Sequence, residues 1–153
     1  MSVPSPLEQP TGRRLAVLIG INDYLKGSGI PPLRNAVRDV QSVAQVLRDL
    51  HGYEVRLVLD GQATLAGLRS LFAQLPGEVS KDTRLLLYFA GHGIADEKDQ
   101  DASGPQGFLI PQDAKQDEPG TFLPMAEVQA LLSGLPCKHL LLLLDCCFAG
   151  AFS

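Results

Sequence analysis

Cysteine is scarce in this chain, with three in 153 residues. Cys146 and Cys147 are adjacent and Cys137 stands apart. Neighbouring cysteines rarely bond to each other, and this spacing is not a zinc pattern, so a disulfide framework and a structural zinc site are both excluded. Reduced thiols in a reducing compartment are the simplest reading. Long apolar runs are lacking as well. The longest, Leu140 to Leu144, falls far short of the roughly 20 residues that span a bilayer as a helix. The N-terminal stretch Met1 to Pro10 is polar and holds three prolines. With no basic start followed by an apolar run, it is not a secretory signal, and the expected location is cytoplasmic. Basic charge is also short: 13 Lys and Arg stand against 17 Asp and Glu, for a net charge of −4. No basic face is implied, which argues against a nucleic-acid partner.

What is present suffices for one packed domain. Hydrophobic residues make up 45% and charged residues 20%, as in ordinary globular proteins. The chain divides into a flexible leader, 1–12, and a single domain, 13–153. Arg14 to Gly20, Tyr53 to Leu59, Thr83 to Ala90 and Lys138 to Asp145 read as four buried strands, with Leu140 to Leu144 as sheet core. Between them, Leu33, Val37, Val40, Ala44 and Leu47 recur at helical steps up to a stop at Gly52. A second helix begins at a Thr64 cap and is expected to end at Pro76 and Gly77. A third runs over Met125 to Leu132, and Phe108 to Ile110 makes a small strand. Apolar strands alternating with amphipathic helices predict an α/β fold, a three-layer sandwich around a mainly parallel sheet. A sheet that ends on its fourth strand suggests that further C-terminal strands are lacking.

Ligands of open parallel sheets bind beyond the carboxyl ends of the strands. Two strands deliver reactive groups there. The third runs into Gly91, His92 and Gly93; the fourth runs into Asp145, Cys146, Cys147, Phe148, Ala149 and Gly150. Neighbouring strands lie about 5 Å apart, so imidazole and thiol could face one carbonyl. A thiolate attacks such a carbonyl and a histidine protonates the leaving amine. The N–H groups of Gly93 and Cys147 are candidate donors to the oxyanion. The acidic loop Asp96 to Asp101 does not match calcium-loop spacing and reads as a solvated loop.

A strand ending in His-Gly, followed by a strand ending in Asp-Xaa-Cys-Xaa-Xaa-Gly, resembles the caspase and metacaspase peptidases. The blocks Leu18–Asn22 and Leu33–Val40 are similar too. The likeness runs from about Arg13 to Ser153 and matches the family's large-subunit half. It implies a caspase-like fold and a cysteine endopeptidase with His92 and Cys147 as the dyad, working without cofactor or metal. It implies Asp145, with Asp39 from the first helix, as the pocket for an arginine or lysine before the cleaved bond. Aspartate-cutting relatives use basic residues there, for which Arg34 and Arg38 are the nearby side chains. The implied partners are a protein or peptide substrate and a C-terminal small-subunit-like part, together with regulatory domains or an activating protease. A catalytically silent interaction or regulatory module on the same fold is the alternative. A nucleotide-binding domain is disfavoured, since no glycine-rich phosphate loop follows the first strand.

Overall fold

The computed structural model describes residues 12–95 and 107–146, together with the backbone of Phe148 and Ala149. Four strands form the main sheet: β1 (Arg14–Gly20), β2 (Glu54–Leu59), β3 (Arg84–Ala90) and, counting in chain order, β7 (His139–Asp145). Their order is β2-β1-β3-β7 and every pairing is parallel. Side chains of a strand alternate between faces, and the core divides accordingly. Leu15, Val17, Ile19, Leu85, Leu87 and Phe89 enter one cluster, while Ala16, Leu18, Leu86 and Ala90 enter the other.

Helix α1 (Ala36–His51) covers the second cluster with Ala36, Val40, Ala44 and Leu47, a stripe at helical spacing. It ends at Gly52, whose φ of 67° lies in the left-handed region that glycine enters at no steric cost. Helices α2 (Leu65–Glu78) and α3 (Met125–Ser133) cover the first cluster through Leu68, Phe72, Leu75, Met125, Val128 and Leu132. Burying each such large apolar side chain stabilises the fold by about 2 kcal/mol. The result is the expected three-layer α/β sandwich, and the Thr64 hydroxyl caps α2 by accepting from the Gly67 N–H at 3.0 Å.

Two expectations need correction. Helix α2 does not stop at Pro76 but continues to Glu78. Proline removes one N–H donor and fixes a φ that a helix tolerates. Buried Leu75 and Val79, joined by a Val79 N–H to Leu75 carbonyl bond of 3.1 Å, hold the last turn in place. The second correction concerns β7, which is not a buried strand. Leu140, Leu141 and Leu143 are 37%, 52% and 39% exposed. The strand lies at the sheet edge, paired on one side to β3, and α1 packs over β1, β2 and β3. Leu142 and Leu144, on the opposite face, do reach the first cluster.

A second small sheet forms around the small strand expected at Phe108 to Ile110, and its other strands were not foreseen. It contains β4 (Gly93–Ala95), β5 (Gly107–Leu109), β6 (Leu123–Pro124) and β8 (Phe148–Ala149) in the order β6-β5-β4-β8. Pairs β4/β5 and β5/β6 are antiparallel and β4/β8 is parallel.

Candidate active site

The main and small sheets share two connections. Ala90 pairs with Asp145 at the end of the main sheet, and the Gly91 N–H donates to the Asp145 carbonyl at 3.4 Å. Gly93 then pairs with Phe148 in the small sheet. Gly91 and His92 lie between these pairs on one segment, and sequence positions 146 and 147 separate them on the other. Cys147 itself lies outside the described residues, as does the acidic stretch Asp96 to Asp101.

His92 is fixed from several directions. Its Nε2 lies 2.8 Å from the Pro31 carbonyl oxygen. A carbonyl can only accept, so Nε2 carries the hydrogen of this bond. The His92 N–H donates to the Tyr24 hydroxyl at 2.9 Å, and that hydroxyl donates to the Ile110 carbonyl at 3.3 Å. The Ile110 N–H returns a bond to the His92 carbonyl at 3.1 Å. The Tyr24 and His92 rings stand 5.1 Å apart, tilted by 50°. Burial pushes the Tyr24 phenol well above its ordinary range, against the opposing pull of the His92 N–H, which keeps the hydroxyl protonated as the donor to Ile110.

The bond from Ile110 to His92 makes that pair the hydrogen-bonded one in the antiparallel ladder. The next pair, Gly93 with Leu109, is then the non-bonded one. The Gly93 N–H therefore turns away from β5, toward the side on which β8 lies.

Pro31 owes its position to the segment after β1. The Ile21 N–H bonds the Ala90 carbonyl at 3.0 Å and the Leu33 N–H bonds the Asn22 carbonyl at 2.9 Å. The Asn22 side chain accepts from the Val37 N–H in the first turn of α1 at 3.2 Å. Asp60, at a φ of 44°, presents Oδ1 to the N–H groups of Asn22 and Asp23 at 2.8 and 3.0 Å. These bonds fasten the segment to the strand ends.

A cavity of about 520 Å³ opens at this edge, with Arg34, Asp39, His92, Asp145 and Cys146 among its lining residues. Asp39 stands in the first turn of α1 and Asp145 at the end of β7. The Tyr88 hydroxyl donates to Asp145 Oδ2 at 2.9 Å. Burial first, then this bond and the negative charges of Asp145 and Asp39, push the Tyr88 phenol up to about 12. Arg38 is exposed on α1 and is not among the lining residues. Among the described residues, no three His, Cys, Asp or Glu side chains are grouped to hold a metal ion, and no helix is long and apolar enough to cross a membrane.

The structure thus brings His92, Asp39 and Asp145 to one cavity, with two carboxylates and one guanidinium on its walls. Sequence reasoning did not find Tyr24, Pro31, Asn22, Asp60 or Tyr88. Asn22 lay in the family-like block Leu18–Asn22, and the Pro31-Pro32 pair, which disfavours helix in the residue before it, precedes the first helical pattern.

An α/β domain with His92 just past one parallel strand and Cys146, followed in sequence by Cys147, just past its neighbour has the outline of a cysteine peptidase. The caspase-domain family's model matches residues 13–153, and the chain belongs to that family of peptidases. Among solved structures it is similar to protein GSU0716 from Geobacter sulfurreducens, with a TM-score of 0.70 and 20% identity. That match covers 89% of this chain and 51% of the other, so the chain spans about half of that protein's length. At this identity the likeness is one of fold. No curated protein matches the sequence.

Proposed function

We propose that this domain is the histidine- and cysteine-bearing part of an endopeptidase that cleaves after arginine or lysine. Asp39 and Asp145 seat the basic side chain, since paired carboxylates suit a guanidinium or an ammonium. The Cys147 thiolate attacks the carbonyl carbon, and the N–H groups of Gly93 and Cys147 hold the oxyanion. His92 gives its proton to the leaving nitrogen as the C–N bond breaks. Water then attacks the thioester, passing a proton to His92, and the carboxylic acid leaves as the thiolate reforms.

The observation that carries this reading is the shared cavity of Asp39, Asp145 and His92. The register supports it: the pairs Ala90/Asp145 and Gly93/Phe148 bracket positions 92 and 147 with two residues on each chain. A C-terminal small-subunit-like part is proposed as the partner of the exposed β7 edge, with regulatory domains or an activating protease controlling assembly. Fluorogenic peptides ending in Arg, Lys or Asp, offered to wild type and Cys147→Ala, test the proposal. Hydrolysis after Arg or Lys that vanishes in Cys147→Ala is expected. Turnover that survives the substitution would overturn the mechanism, and cleavage after Asp alone would transfer the pocket's role to Arg34.

A further inference from the structure

Asp145 ends an edge strand and is exposed. A carboxylate on such a site turns freely about its side-chain bonds unless something holds it. Tyr88 does so. It sits on β3 opposite Leu143, one pleat before the Ala90/Asp145 pair, and its partly buried ring packs against the cluster under α1. A tyrosine has few rotatable bonds, so its hydroxyl is a fixed point. From there it donates to Oδ2 of Asp145 at 2.9 Å, fixing one oxygen and orienting the carboxylate plane.

The plane matters to one class of basic side chain more than the other. A guanidinium binds a carboxylate through two parallel N–H bonds and needs the two groups coplanar. An ammonium is a compact point charge with rotatable donors and tolerates any orientation. We propose that Tyr88 is a specificity-determining positioning residue, which makes the cavity prefer arginine over lysine by orienting the Asp145 carboxylate. This rests on the reading of Asp39 and Asp145 as the seat of a basic side chain. Tyr88 remains a donor throughout the neutral range, because burial and the two carboxylates oppose its ionisation.

The test compares wild type, Tyr88→Phe, Asp145→Glu and Asp145→Asn. Two ratios are read: kcat/KM for Arg over Lys fluorogenic peptides, and, independently of turnover, the dissociation constants of cadaverine over agmatine by calorimetry. Wild type is expected to favour the guanidinium in both. In Tyr88→Phe the preference falls about three- to tenfold, as one hydrogen bond to a partly screened charged group is lost. Asp145→Glu keeps the charge but moves it off the tyrosine, and gives the same fall. Urea midpoints confirm that each variant is folded. Unchanged ratios in both variants, with Asp145→Asn weakening both probes, overturn the role of Tyr88 and leave the pocket reading intact. If Asp145→Asn leaves agmatine binding unchanged, the pocket reading itself fails.

Discussion

Replacing Tyr24 by phenylalanine removes one oxygen from the interior and breaks two hydrogen bonds at once. The hydroxyl accepts from the His92 N–H at 2.9 Å and donates to the Ile110 carbonyl at 3.3 Å. Tyr24 is only 6% exposed, and the space around its oxygen is close, since a side-chain carbon built on Gly91 would lie 3.0 Å from it. Water therefore has little room to replace the lost oxygen. An orphaned buried N–H costs about 1–3 kcal/mol, whereas the carbonyl, with two lone pairs, suffers less. The variant is expected to lose about 2 kcal/mol. At an m-value of about 2 kcal/mol/M the urea midpoint falls by about 1 M, and Tm falls by about 4–8 °C for a chain of this size. Equilibrium unfolding followed by circular dichroism measures both. A midpoint within about 0.2 M of wild type at unchanged m would refute the claim that Tyr24 satisfies the His92 backbone.

Alkaline pH is expected to destabilise the fold. The Tyr88 phenol is held at about 12 against an ordinary 10.0, so between these values the native state binds the proton that the unfolded chain has lost. Its contribution is whole below pH 10 and fades as pH rises through about 12, so the fall in urea midpoint from neutral to alkaline pH is smaller in Tyr88→Phe. Gly91→Ala places a carbon 3.0 Å from both Phe89 Cζ and the Tyr24 hydroxyl. It should cost about 1–3 kcal/mol as a buried overpacking, seen as a lower thermal midpoint. Leu87→Ala, in the core under α2, should cost about 2–5 kcal/mol; Leu141→Ala, on the open face of β7, should cost under about 1 kcal/mol. Equal losses for these two would mean that β7 is not an exposed edge.

The strands of the main sheet and the three helices could be read from sequence because each follows a strong local pattern. An apolar run bounded by turn residues becomes a strand, and leucines at three- and four-residue steps become a helix. The edge position of β7 could not be read this way. His139–Asp145 is richer in leucine than the central strand β3, and composition does not say which strand has neighbours on both sides. Strand order is decided by the crossovers, which bring β3 between β1 and β7. Of the small sheet only one strand was legible, expected at Phe108 to Ile110 and found one residue earlier at Gly107–Leu109; the others, of two or three residues, are too short to display a period. Pro76 misled because a helix end is favoured near proline only when nothing else holds the turn, and here Leu75 and Val79 are buried.

Part of the cavity was legible for a topological reason. Residues that follow parallel strands must gather at the carboxyl edge, which assigns His92 and Asp145 to one place before any coordinates are known. Asp39 came from family resemblance alone, since a helix-face aspartate is ordinary. Tyr24 and Pro31 were invisible because their contribution to His92 is made across 68 and 61 residues of chain through a hydroxyl and a backbone carbonyl, and neither group marks its residue as chemical. The same contacts explain why the imidazole sits where two sheets meet. At that seam the backbone leaves one ladder before entering the next, and the N–H and C=O of His92 must be satisfied by something else. The Tyr24 hydroxyl accepts from the N–H and the Ile110 N–H donates to the carbonyl, and the two partners are themselves bonded to each other. The backbone cost of the seam is thus met by residues away from the cavity, which His92 lines.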